Sequence, residues 1–270
     1  MKSISAFWIP SPDYKYTNFG DILTPYILSK YNINCIYEEK NPQMYGIGSL
    51  LHTIPRDYKG YLWTSGYMFP THTLTLKNDP IAIRGKLSLK QFINHDLSNT
   101  CLGDGGLLLD KIYKPKTKKK YKIGIFPNYV DIVNMRDDPI ECFTIVKNYP
   151  HDVLLIDPRN YIETVIDQTY SCENVITTSL HGAVLCDSYG INYGICKARE
   201  TNIAIHNLQA SFKFKDYLST FDVNFEKCDL TLEKNTSFEQ CLSICKQVNK
   251  PMLENVKQYL IKSIDSIRNI

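Results

Sequence analysis

The segment richest in chemistry is Val175-Ile-Thr-Thr-Ser-Leu-His-Gly-Ala-Val184. An apolar run ends in three hydroxyl residues, Thr177, Thr178 and Ser179, and Leu180-His181-Gly182 then opens a stretch of small and apolar residues. The pattern reads as a buried strand running into a helix, which sets His181 at a strand end beside backbone N–H groups that can hold an anion. Imidazole titrates near neutrality, so His181 can donate and accept protons within one cycle. A second strand end carries Arg84-Gly85. Its guanidinium suits bidentate capture of a carboxylate or phosphate, with a surface ion pair as the alternative. Asp104, in Leu102-Gly103-Asp104-Gly105, can cap a turn or bind a sugar hydroxyl, the turn being the safer local reading. Asp21, in Asn18-Phe19-Gly20-Asp21, can cap the next helix or present a carboxylate to a ligand.

Two further strand ends, Gly46-Ile47-Gly48-Ser49 and Ser65-Gly66, carry glycines that let a backbone approach a ligand closely. None of these is a G-x-G-x-x-G fingerprint or a G-x-x-x-x-G-K-[ST] phosphate loop, so a nucleotide cofactor has no direct support. Nor is a metal-ligand cluster visible. The nine cysteines are scattered, without a C-x-x-C pair, and read as small buried apolar residues in a reducing cytosol.

For these side chains to meet, the elements between them must bring several strand ends together. Ile4–Ile9, Asn34–Tyr37, Met44–Ile47, Tyr61–Trp63, Ile81–Ile83 and Thr100–Leu102 read as strands, with helices over Asp21–Tyr31 and Lys86–Asn94. A basic run from Lys111 to Lys122, interrupted by Pro115, then reads as an exposed linker whose positive charge falls beside the cleft. The alternation restarts with strands at Lys122–Phe126, Asp152–Ile156, Asn174–Thr178 and Ile191–Cys196 and helices at Asp138–Tyr149, Arg159–Ser171 and Leu180–Tyr189. An α/β chain of two Rossmann-like domains facing across a cleft follows, spanning 1–113 and 121–250, with an amphipathic C-terminal helix over 251–270.

Composition agrees. The 270 residues carry a net charge of only +3, with 43% hydrophobic and 22% charged residues. These values exclude disorder, collagen and coiled coil and give no support to a nucleic-acid binder. No apolar stretch approaches 18 residues, and the N-terminus reads as a first strand rather than a signal peptide, so a soluble cytoplasmic protein is expected. The 19 tyrosines stand out.

Eight segments in order resemble the polysaccharide pyruvyltransferase family. They are Asn18-Phe19-Gly20-Asp21, Gly46-Ile47-Gly48-Ser49, Thr64-Ser65-Gly66, Ile83-Arg84-Gly85, Leu102-Gly103-Asp104, Ile123-Gly-Ile-Phe-Pro-Asn-Tyr-Val-Asp131, Ser179-Leu180-His181-Gly182 and Phe212-Lys-Phe-Lys-Asp-Tyr217. The resemblance implies a fold like that of the GT-B glycosyltransferases. It also implies transfer of pyruvate from phosphoenolpyruvate to a sugar of a bacterial surface polysaccharide, often as a cyclic ketal. The acceptor would be a lipid-linked repeat unit, met at the inner face of the plasma membrane. Phosphoenolpyruvate is the donor, and neither a cofactor nor a metal is implied.

On this reading His181, Asp21 and Arg84 are catalytic. Substrate contacts fall to Asn18, Gly20, Gly48, Ser49, Ser65, Gly66, Asp104, Asn128, Tyr129, Ser179, Leu180, Gly182, Arg199 and Lys213. The chain departs from many members by carrying Ser179 where they have Arg and Asn128 where they have His. The anion-binding charge is then left to Arg84, Lys213 or Arg199. A nucleotide-sugar glycosyltransferase of shared fold and a non-catalytic sugar-binding module are the alternatives.

Overall fold

The computed structural model describes residues 2–10, 18–55, 57–70, 76–93, 95–133, 144–198, 204–224, 230–232, 236–246, 250 and 252–270; for 133, 198 and 204–211 it describes the backbone. The first half of the chain runs β1 (Lys2–Phe7), α1 (Leu23–Lys30), β2 (Ile33–Tyr37), β3 (Met44–Tyr45), β4 (Tyr61–Ser65), β5 (Ala82–Ile83), α2 (Lys86–Leu89), β6 (Cys101–Leu102) and α3 (Leu109–Ile112). The second runs β7 (Tyr121–Phe126), α4 (Tyr129–Val133), α5 (Thr144–Asn148), β8 (Val153–Leu155), α6 (Ile162–Tyr170), β9 (Cys172–Thr177), α7 (Leu180–Tyr189), β10 (Asn192–Ile195), β11 (Lys197–Ala198), α8 (Ala204–Ser219), β12 (Thr231–Leu232), α9 (Phe238–Ile244) and α10 (Leu253–Arg268).

Among the described residues the strands form a six-stranded parallel sheet in the order β2-β1-β3-β4-β5-β6, a four-stranded parallel sheet in the order β10-β9-β7-β8 and a small parallel pair, β11-β12. Central strands of such sheets are buried on both faces, and the sequence obeys this. Leu62, Trp63, Thr64 and Ser65 of β4 are all buried, as are Ile123, Gly124, Ile125 and Phe126 of β7. The mixed α/β class with parallel sheets is thus as expected. Helix α7 has the expected limits, opening at an extended Ser179 and closing at Gly190 with φ 66°, the left-handed residue that commonly ends helices. The helix expected over Lys86–Asn94 stops at Leu89 instead. Part of the helix expected over Asp138–Tyr149 lies outside the described residues, and Thr144–Asn148 is helical.

Apolar packing runs without a break from one sheet to the other. Ile4, Leu23, Leu107, Phe126, Val184, Tyr217 and Leu260 belong to one buried cluster. At the seam, the Phe19 and Phe126 rings meet edge to face at 5.9 Å, and the Phe19 N–H donates to the Pro158 carbonyl at 2.8 Å. Helix α10 lies against the first sheet, where the Trp63 Nε1–H donates to Ser263 Oγ at 2.9 Å. From the same helix, Lys257 reaches Asp110 Oδ2 at 2.9 Å and the Ser188 carbonyl at 3.0 Å.

The basic connection between the sheets does not border a cleft at the strands' carboxyl ends. Lys119 donates to the carbonyl of Cys172, Lys122 pairs with Glu173, and Lys111 pairs with Glu254. Cys172 starts β9, so the charge of Lys119 and Lys122 sits at the amino ends of β7 and β9, a strand length of roughly 20 Å from their carboxyl ends. A run of lysines in sequence shows its charge but not the sheet edge it lies on. Among the described residues no helix is long and apolar enough to cross a membrane.

Candidate active site

The carboxyl ends of both sheets converge on His181. The Thr177 hydroxyl at the end of β9 makes the turn into α7: it donates to the Phe126 carbonyl at 2.9 Å and accepts the Ser179 N–H at 3.0 Å. Gly182 is required by this tight exit, because a Cβ there would stand 2.3 Å from Thr177 Oγ1. The Ser179 side chain makes no capping hydrogen bond, so the first turn of α7 keeps its N–H groups for a ligand.

The His181 side chain is 14% exposed and lies between two residues of the first half. On one side is the Gly20 backbone, so close that a Cβ would come within 1.9 Å of Nδ1. On the other, Asp104 Oδ2 stands 3.7 Å from Nε2. Asp104 is fully buried, and its Oδ1 accepts the Gly106 N–H at 2.9 Å, the turn cap expected from its local sequence. Burial pushes the His181 pKa below its usual value; Asp104 draws it up, and Lys213 and Arg84 push it down further. The imidazole is therefore neutral near pH 7.

Asp21 stands in the turn after Gly20, and its Oδ2 accepts a hydrogen bond from Asn18 Nδ2 at 2.8 Å. It does not cap α1, whose N-cap is Ile22. Burial raises its pKa to about 6 against the opposing pull of Asn18 and Lys213. Lys213, on α8, makes no hydrogen bond or ion pair with another described residue. Its pKa falls to about 8, chiefly through burial and then through the Arg84 charge, while Asp21 and Asp131 oppose the fall. Two groups thus titrate close to neutrality within electrostatic reach of each other, beside the imidazole.

Arg84 is neither an exposed clamp nor a surface ion pair. Its guanidinium is fully buried and donates from Nε to Asp216 Oδ2 at 2.9 Å, from Nη1 to Ser49 Oγ at 2.8 Å and from Nη2 to the Tyr67 carbonyl at 2.5 Å. Asp216, on α8, also accepts from the Ser88 N–H and hydroxyl. Gly66 lies flat on the guanidinium, where a Cβ would meet Cζ at 2.3 Å. Ser65 turns inward onto the Gly46 carbonyl, and the Gly66 N–H donates to the Gly48 carbonyl. Gly48, Ser49, Ser65 and Gly66 accordingly house Arg84, whose charge reaches His181 and Lys213 at longer range.

Asn128 and Tyr129 enter α4. The Asn128 N–H donates to Thr178 Oγ1 at 2.7 Å and Asp131 Oδ2 at 3.2 Å, while Thr178 Oγ1 donates to the same Asp131 oxygen at 2.5 Å. Leu180 is buried in the shared core, and Arg199 lies outside the described residues. Asp131 and Asp216 stand in two of the segments that carry the resemblance, but the sequence reading gave neither of them a role. Asn128-Tyr-Val-Asp131 carried a signal, since a side-chain acceptor three residues after an N-cap is a capping-box spacing. The pairing of Asp216 with Arg84 carried no local signal, because the two are 132 positions apart. Among the described residues, no group of three or more His, Cys, Asp or Glu is arranged to hold a metal ion.

No protein-family model matches the chain. Among curated proteins, it is similar to an uncharacterized protein, L143, of Acanthamoeba polyphaga mimivirus, 23% identical over 245 residues, which covers 87% of this chain and 81% of that protein.

Proposed function

We propose that this site transfers the pyruvyl unit of phosphoenolpyruvate to hydroxyls of a carbohydrate, closing a pyruvate ketal. One observation carries the reading: the uncapped start of α7, a neutral imidazole, a carboxyl with a pKa near 6 and a partly buried lysine with no ion pair among the described residues lie together at the meeting point of two parallel sheets. Phosphoenolpyruvate has a phosphate and a carboxylate, which need fixed positive charge, and an enol double bond, whose methylene carbon needs a proton. Lys213 and the first-turn N–H groups of α7 hold the anion, and buried Arg84 strengthens the field behind them. Protonation of the methylene carbon makes C2 electrophilic, and a sugar hydroxyl attacks it. Phosphate leaves and a second hydroxyl closes the ketal. Two hydroxyl protons are released, one to the methyl carbon and one to phosphate, so the proton count balances. His181 and Asp21 carry these protons, and Tyr129 offers a ring to the acceptor.

In this reading the two sheets are the two halves of an arrangement similar to the GT-B glycosyltransferases. The acceptor is a lipid-linked repeat unit of a surface polysaccharide, met at the cytoplasmic face of a membrane. The test is incubation with phosphoenolpyruvate and a panel of sugar acceptors, following phosphate release and the product's ketal methyl signal by NMR. Full activity in His181→Ala would remove His181 from the mechanism. Thermal stabilisation by nucleotide sugars and not by phosphoenolpyruvate would replace the reading with glycosyl transfer.

A further inference from the structure

Asp104 has one oxygen more than its turn uses. Oδ1 completes the turn by accepting the Gly106 N–H, whereas Oδ2 is buried without a hydrogen-bond partner among the described residues. Facing it at 3.7 Å is His181 Nε2, which is buried and partnerless in the same way. A single orphaned polar atom in a protein interior costs about 1–3 kcal/mol. Here two such atoms, a potential donor and an acceptor, stand about half an ångström beyond hydrogen-bond distance. The opposite ring nitrogen, Nδ1, lies on the side of Gly20, next in sequence to Asp21.

We propose that Asp104 is the positioning residue of His181: its carboxylate takes the Nε2–H, fixes that tautomer, and leaves Nδ1 as the nitrogen that exchanges protons with a ligand. One proton reaches Nδ1 from a hydroxyl and leaves again from Nδ1, while Asp104 stays ionised and touches no substrate. This divides labour as in other imidazoles oriented by a buried carboxylate. The charged groups that act on the ring come from each element around it: Asp104 after β6, Lys213 on α8 and Arg84 after β5. Of these, only Asp104 favours the protonated ring. The use of the pair in turnover rests on the pyruvyl-transfer reading; the pairing itself does not.

The test is nitrogen-15 NMR of uniformly labelled protein, with the His181 signals assigned through His181→Gln. In the unmodified chain, neutral His181 is expected as the Nε2–H tautomer. Asp104→Asn keeps an acceptor for the Gly106 N–H and removes the charge, so the His181 titration midpoint should fall by about half a unit or more. An Nδ1–H tautomer overturns the proposal, as does an unchanged midpoint in a folded Asp104→Asn. The tautomer alone decides should that variant fail to fold. With phosphoenolpyruvate and acceptor, Asp104→Asn should lower kcat about 10-fold or more with little change in the KM for the donor. The expected tautomer and midpoint shift in a protein that transfers no pyruvate would refute the transfer and leave the pairing standing.

Discussion

Gly20 and His181, 161 positions apart, are in backbone-to-ring contact: a Cβ added to Gly20 would lie 1.9 Å from Nδ1 and 2.6 Å from Cε1 of the imidazole. The turn between β1 and α1 therefore forms one wall of the histidine's pocket. It ties the position of Asp21 to that of His181.

Gly20→Ala should displace the ring more than it destabilises the fold. An extra methyl forced into a packed contact costs about 1–3 kcal/mol, measurable as a lower midpoint in urea. The His181 ring signals should shift in NMR, and transfer activity should fall toward that of His181→Ala. Wild-type stability and ring signals in Gly20→Ala would show that the contact is not made.

Asp216→Ala leaves the Arg84 charge buried without its carboxylate. Breaking such a pair costs about 3–5 kcal/mol, so a large drop in unfolding free energy is expected. The double change Arg84→Met with Asp216→Leu should cost less than the two single changes added together, because it leaves no charge unpaired. Additive effects in a double-mutant cycle would contradict the coupling.

Lys213→Met should bring stability and function into opposition. Its side chain is partly buried and makes no ion pair among the described residues, so an apolar side chain of similar length should raise the melting temperature at pH 7. On the proposed function phosphoenolpyruvate should stabilise the wild-type chain in a thermal-shift assay, and the same change should abolish that stabilisation. An unaltered ligand response would take Lys213 out of the anion site.

Asp21 and Lys213 predict opposite slopes of stability with pH. The Asp21 pKa rises on folding from 3.8 to about 6, so the folded chain binds the proton more tightly and stability falls as pH rises through that window. The Lys213 pKa drops from 10.5 to about 8. The folded chain therefore gives up that proton first, and stability rises between those values. Relative to wild type, Asp21→Asn should flatten the acidic slope and Lys213→Met the alkaline one. Urea unfolding at pH 4.5, 6.5, 8 and 10 reads both, and identical slopes in variants and parent would reject the burial of these groups.

One of the buried hydrogen bonds that hold helix α10 invites direct measurement. Ser263→Ala leaves the Trp63 Nε1–H unsatisfied in the core, at a cost of about 1–3 kcal/mol. Trp63 fluorescence would follow the unfolding transition, and a change below about 0.5 kcal/mol would show that the indole has another acceptor.

Much of the architecture is legible in the chain alone. Short apolar runs give the strands of both sheets, and α7 has the limits its pattern implies, from Leu180 to Tyr189. The strand-to-helix turn that presents His181 is legible for the same reason: Thr177, Ser179 and Gly182 satisfy local sterics and hydrogen bonding within a few residues. The fates of Arg84, Asp104 and the basic connection are not local. Arg84 at a strand end looks like an anion clamp until α8 delivers Asp216 from 132 positions away and removes both from water. Asp104 reads as a simple turn cap until the second sheet sets His181 Nε2 opposite its spare oxygen. The lysines of 111–122 show their charge but not that Lys119 and Lys122 lie at the amino ends of β7 and β9. Side-chain type and spacing determine which groups can do chemistry. Desolvation and long-range packing decide which of them are neutral, paired or free, and both exist only once the two sheets have met.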